Sequence, residues 1–245
     1  MSKASKSGDK TIESKDDLIQ WFRDWCTPTD KLLMGVEYER PPYYLADNAP
    51  VPYEGTKARP GLLQFFEALI ERGWEPVYEG KSIIGLDKNG VNFSLEPGGQ
   101  VETGGAPLRN VHQISKETDA VIAEANEVGK SLGIGFLALG YHPTHKGLDM
   151  PVMPMSRFEV WRELFKTLSL NGMDSTSCTS TVQVNLGFTS EEDMVKMLRV
   201  ALSLQPVAAA LWANSSPRRC PACVSKTCPD FFALLQKIGV KCVVS

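Results

Sequence analysis

The sequence predicts an α+β fold, a mainly antiparallel sheet covered on one side by helices. Three observations predict it. Residues 91–96 and 179–188 alternate apolar and polar side chains with period two. Asn89-Gly90 lies between two strand-like runs, the composition of a tight hairpin turn. Helical and strand patterns mix along the chain with neither a βαβ rhythm nor an internal repeat.

The elements follow in chain order. Residues 1–13 are polar and read as a disordered N-terminus. Ser14 and Asp17 have capping-box spacing, and the helix they open carries Leu18, Ile19, Trp21, Phe22 and Trp25. Residues 32–39 read as a strand and 41–60 as a proline-rich loop. Pro60-Gly61 opens a helix with Leu62, Leu63, Phe65, Phe66, Leu69 and Ile70 inward, and Gly73 stops it. A hairpin over 83–87 and 91–96 leads to a tight turn, Pro97-Gly98-Gly99, and a short strand through Gln100, Val101 and Glu102. A helix over about 108–131 ends at Gly133, and 134–141 reads as a buried apolar strand. Ser156 and Glu159 cap a helix to about residue 170, 179–188 is a strand, and Ser190 caps a helix to about 204. A further apolar helical stretch covers 207–213.

Bulk properties narrow the function. A chain of 245 residues with 42% hydrophobic and 22% charged side chains can bury one sizeable core. A net charge of −3 offers no basic surface for nucleic acid or anionic lipid, and no apolar run approaches the length that spans a bilayer. The polar N-terminus, with Asp9 and no arginine, gives a cytoplasmic location as the expectation.

Chemistry concentrates on three strands. Glu37 and Glu39 are one residue apart, so both carboxylates face one side while Val36 and Tyr38 face the other. Paired carboxylates repel unless a cation sits between them, and hard divalent ions take such oxygen ligands. The plain alternative is a solvated strand edge. Asn92, Ser94 and Glu96 share the polar face of the second strand, and Glu102 returns towards them. Gly98-Gly99 lets a ligand approach the main chain next to Gln100, or makes only a tight turn. On the third strand Thr181, Gln183 and Asn185 face away from Val182, Val184, Leu186 and Phe188. His142 and His145 flank Pro143 and read as packed or solvated rather than as a metal pair.

Taken together these segments resemble the glutamate–cysteine ligase family of the plant and proteobacterial type. The carrying motifs are Gly35–Glu39, 83–107 (ending SLEPGGQVETGGAPL), 133–143 (GIGFLALGYHP), 150–157, 181–186 (TVQVNL) and 202–214 (LSLQPVAAALWAN). The resemblance covers residues 14–215 and implies a sheet similar to that of glutamine synthetase, incomplete at its C-terminal side. It implies an ATP- and Mg2+-dependent ligation of glutamate, through its γ-carboxylate, to cysteine, the first step of glutathione biosynthesis. The reaction would pass through a γ-glutamyl phosphate. By the same resemblance Glu37, Glu39, Glu96 and Glu102 are metal ligands, and Gln183, Asn185, Arg157, Gly98, Gly99 and Gln100 bind substrate. It assigns no catalytic residue. The segment 174–180 lacks the arginine that family members often carry there, which leaves the amine acceptor open.

After Asn214-Ser215 the resemblance stops and the composition changes. Residues 215–245 carry five basic side chains, one acid and four of the six cysteines. A frameshifted or otherwise non-family tail over 216–245 is the expectation, which makes a non-catalytic glutamate- and metal-binding protein the alternative function. Cys220, Cys223, Cys228 and Cys242 also allow a zinc module, although no histidine is near.

Overall fold

The computed structural model describes residues 11–168 and 172–213. Most of the expected disordered N-terminus, the last two residues of the helix expected to reach 170, and the cysteine-rich tail lie outside them. The chain forms two compact units, residues 1–190 and 191–245.

In the first unit, six strands form one antiparallel sheet. They are β1 (Met34–Arg40), β3 (Glu75–Glu79), β4 (Ser82–Lys88), β5 (Val91–Leu95), β6 (Val101–Gly104) and β8 (Val182–Leu186), in the order β3-β4-β5-β6-β1-β8. Asn89 and Gly90 join β4 to β5 with φ of 53° and 87°, the pair of left-handed residues that a two-residue hairpin needs. Two more strands, β2 (Pro42–Tyr44) and β7 (Ile134–Phe136), form a separate ribbon.

Helices cover one face, as the sequence predicts. From α2 (Leu62–Ile70) come Leu62, Phe65, Phe66 and Leu69, and from α3 (Val111–Ser131) come Val121, Ala125 and Val128. They pack with Leu86, Phe93, Leu95 and Val101 of the sheet into the main core. The helix ends follow local chemistry. Gln64 Oε1 accepts from Gly61 N at 2.8 Å at the start of α2, and Gly73, at φ 89°, follows its last turn. Asn110 Oδ1 caps α3 by accepting from Gln113 N at 3.0 Å. The capping box of Ser14 and Asp17 is formed at the head of α1 (Lys15–Asp24).

Several expectations need correction. The apolar run at 134–141 is a strand only to Phe136: Leu137 N still donates to Pro41 O in the ribbon's register, but Pro41 has no N–H to return a bond, and the pairing ends there. The presumed loop at 41–60 contributes β2. β3 was hidden by Pro76 and two glutamates, a composition that suits the sheet edge where it lies. A short helix, α5 (Gly172–Ser177), also went unforeseen. Ser156 opens α4 (Ser156–Leu168), but its N–H and hydroxyl both donate to Glu79 Oε1, at 2.9 and 2.6 Å. This ties α4 to β3.

In the second unit, the two stretches expected on either side of Pro206 are one helix, α6 (Glu191–Leu211). A proline removes a single N–H donor, and the helix continues past it. By length and composition alone α6 is long and apolar enough to cross a membrane, which corrects the view that no such run exists. Its first turn nevertheless carries Glu191, Glu192 and Asp193.

Candidate functional site: a carboxylate cup on the open face of the sheet

The register of the sheet assembles the polar residues into two rows on the face opposite the helices. Glu39 pairs with Glu102, which pairs with Ser94. One step along, Gln183 pairs with Glu37, Glu37 with Gly104, and Gly104 with Asn92. Residues directly opposite each other on antiparallel strands share a face, so Glu37, Glu39 and Glu102 project into one polar patch with the amides of β8 along its side. Gly104 leaves room there, since a Cβ at that position would come within 2.7 Å of the Asn92 side chain.

Each carboxylate has its own hydrogen-bond donors. Glu37 Oε1 accepts from Asn185 Nδ2 at 2.9 Å and its Oε2 from Gln183 Nε2 at 3.1 Å. Gln183 Nε2 also donates to Asn185 Oδ1 at 3.1 Å, which makes the two amides one unit. Thr181 holds Glu39 through its backbone N–H and its hydroxyl, both at 3.1 Å. Glu102 is buried and accepts from Ser94 Oγ at 3.0 Å. Asn92, Ser94 and Thr181 were named as polar-face residues but not as site residues. Their period-two placement was the signal that could have included them.

The carboxylates act on one another. Burial raises the pKa of Glu39, against the Thr181 hydrogen bonds, and Glu102 and Glu37 add to the rise. Glu96 is pushed up to about 7, first by burial and then by Glu102 and Glu39, with Arg157 opposing. Arg157 is therefore close enough to Glu96 for their charges to interact, and its guanidinium lies 4.6 Å from the Phe158 ring centroid.

Among the described residues no three acidic, histidine or cysteine side chains converge tightly enough to enclose a metal on their own. The donor set still fits a hard divalent cation. It consists of carboxylate oxygens, and magnesium commonly takes only one or two carboxylates besides substrate and water oxygens.

A consequence can be measured without metal. Between pH 4.5 and about 7 the folded protein keeps a proton on Glu96 that the unfolded chain has lost. Stability therefore falls as pH rises through that window. Glu96→Gln is expected to flatten that slope and to be about 1–2 kcal/mol more stable than wild type at pH 8, after allowance for solvent screening. Urea unfolding at pH 5 and pH 8 checks it.

The glycine turn also has a role within the fold. Gly98, Gly99 and Gln100 are buried. Gln100 Oε1 accepts from Gly98 N at 2.9 Å, and its Nε2 donates to Thr179 O at 2.7 Å. A Cβ on Gly98 would collide with the carbonyl oxygen of Ser177. The Gln100 side chain thus clasps the turn to the segment that leads into β8. His142 is fully buried, and its Nδ1 accepts from His145 N at 3.2 Å, in keeping with the packed reading.

Comparison with known proteins places these features in context. A family model described as glutamate–cysteine ligase family 2 matches residues 33–217. A chloroplastic glutamate–cysteine ligase of Medicago truncatula is 38% identical over 203 residues, covering 82% of this chain and 39% of that protein. The Arabidopsis thaliana enzyme of the same name is 38% identical over 82% of this chain and 38% of its own length. Glutamate–cysteine ligase A of Oryza sativa subsp. japonica is 36% identical over 82% of this chain and 40% of its own. The chain thus spans about two fifths of the length of these relatives. Their names overturn the cytoplasmic expectation, since they point to the chloroplast. A polar N-terminus without arginine was a weak guide to compartment.

Proposed function

The chain belongs to glutamate–cysteine ligase family 2, and from that premise we propose that it carries the cation- and glutamate-binding part of an ATP-dependent ligase that joins L-glutamate to L-cysteine. The observation that carries this reading is the cup, where β1 and β6 set Glu39 against Glu102 and β8 adds two amides. The product, γ-glutamylcysteine, would feed glutathione synthesis.

In this reading a γ-carboxylate oxygen of glutamate attacks the γ-phosphorus of ATP, and ADP leaves. The amine of cysteine then attacks the acyl carbon, phosphate departs with the electrons of the C–O bond, and the amine gives up a proton. Bound magnesium would screen the triphosphate and the phosphoryl group in transfer. Glu37, Glu39, Glu96 and Glu102 are the residues that would hold it. Gln183 and Asn185 keep Glu37 oriented and leave Gln183 Oε1 and one Asn185 N–H to meet the substrate's ammonium and carboxylate. Arg157, beside Glu96, would take a substrate carboxylate. The family match ends at residue 217, which supports setting the 216–245 tail apart from the 14–215 ligase region.

The test is to supply the full chain with glutamate, cysteine, ATP and Mg2+ and to follow ADP and γ-glutamylcysteine. ADP release that requires both amino acids is the expected result. No turnover, with magnesium-dependent glutamate binding retained, would sink the ligase reading for this chain and leave a binding protein of the same family.

A further inference from the structure

We infer that Glu79 is a positioning residue for the cup and acts through Arg157: its carboxylate fixes the first turn of α4 and so sets where the Arg157 guanidinium stands. The inference rests on Arg157 taking a substrate carboxylate in the proposed ligase. Arg157 is the second residue of α4 and is half-buried. A cation in the first turn meets the positive end of the helix dipole, so α4 by itself does not favour it there. Met155, which precedes the helix, has no side-chain oxygen to serve as a cap.

Glu79 supplies that acceptor from the end of β3. Its Oε1 accepts from Ser156 N at 2.9 Å and from Ser156 Oγ at 2.6 Å. One carboxylate oxygen that holds two donors of one residue fixes the backbone just before Arg157. Just after it, Phe158 belongs to the main core, and its N–H donates to Met155 O at 3.0 Å. Arg157 thus stands between two anchored neighbours. Charge completes the arrangement. The Ser156 hydroxyl and N–H, and then the charge of Arg157, hold the Glu79 carboxyl below its ordinary pKa, so it is ionised at neutral pH. Arg157 also acts on Glu96. Its guanidinium is therefore close to a carboxylate at the end of β3 and to another just past β5. A cap for α4 alone could come from the residue before the helix. Coming from a distant strand, it ties the arginine to the sheet that builds the cup.

Glutamate binding by the full chain in the presence of MgCl2, measured by calorimetry, tests the inference. Glu79→Ala is expected to weaken binding about tenfold. Glu79→Gln, whose amide oxygen can still accept from Ser156, is expected to stay within about twofold of wild type. The loss has to run through Arg157, so Glu79→Ala added to Arg157→Ala is expected to cost no further affinity. Asn110→Ala removes the cap of α3 and controls for lost helix stability alone; it is expected to leave affinity unchanged. Equal losses from Glu79→Ala with and without Arg157, or the same loss from Asn110→Ala, would overturn the inference. The nitrogen-15 signal of Arg157 Nε–H reads the clasp without ligand. It is expected to shift in Glu79→Ala and to hold in Glu79→Gln, and an unmoved signal in Glu79→Ala would overturn the inference whatever the affinities. A wild-type chain that binds no glutamate, with the signal shifted in Glu79→Ala, would end the ligase reading and leave the positioning of Arg157 by Glu79 standing.

Discussion

Gly98→Ala is expected to destabilise the protein by about 3 kcal/mol or more, combining overpacking with the loss of buried hydrogen bonds. The new Cβ would fall on the Ser177 carbonyl oxygen, a backbone atom at the end of α5 with no side-chain freedom to yield. Moving α5 away would break the Gln100 clasp, stranding a carboxamide that now bonds Gly98 N and Thr179 O. It would also shift the entry of β8, and with it Thr181, which donates twice to Glu39. Urea unfolding measures the effect. Gly35→Ala is the control, because its Cβ would meet nothing nearer than 4.0 Å. Equal losses in the two variants would remove the clasp from the account.

The second large effect concerns the cup. Glu39→Gln combined with Glu102→Gln is expected to lower magnesium affinity about 100-fold, as removal of two facing charges should. Glutamine keeps the size of glutamate, and its oxygen can still accept from Ser94 or Thr181, so the fold should survive. The same variant should lower the Glu96 pKa only part of the way from about 7, because Glu102 and Glu39 add to the burial that chiefly holds it up. Calorimetric titration with MgCl2 and a carboxyl-carbon NMR titration report the two readouts separately. Wild-type affinity in the double variant would place the cation elsewhere.

Much of this site could be read from the chain because its strands alternate. Period two placed Glu37 beside Glu39, Asn92 and Ser94 beside Glu96, and Gln183 beside Asn185, before any pairing was known. It could not supply register, which sets Glu39 opposite Glu102 and moves Glu37 to the neighbouring row. The packing of Gln100 was illegible for a related reason. A glutamine after two glycines looks available to a ligand, and only the return of residues 176–179 over the turn shows its amide bonded to the polypeptide. β3 was missed because proline and two glutamates mask a strand that lies at an edge. The burial of Arg40, whose Nη1 donates to Asn126 Oδ1 and whose guanidinium lies over the Phe136 ring, gave no signal at all, since a basic residue beside a glutamate on a strand ordinarily faces water.

The most direct test of the cup as a divalent-cation site is the proton count on binding magnesium. With Glu96 titrating near 7, a cation held there should expel about half a proton per ion at pH 7 and almost none at pH 8.5. Titrating the intact chain with MgCl2 in two buffers of different ionisation enthalpy gives that number. Release near one half at pH 7 that vanishes in Glu96→Gln is the expected result. Binding without proton release, or release unchanged in Glu96→Gln, would contradict it.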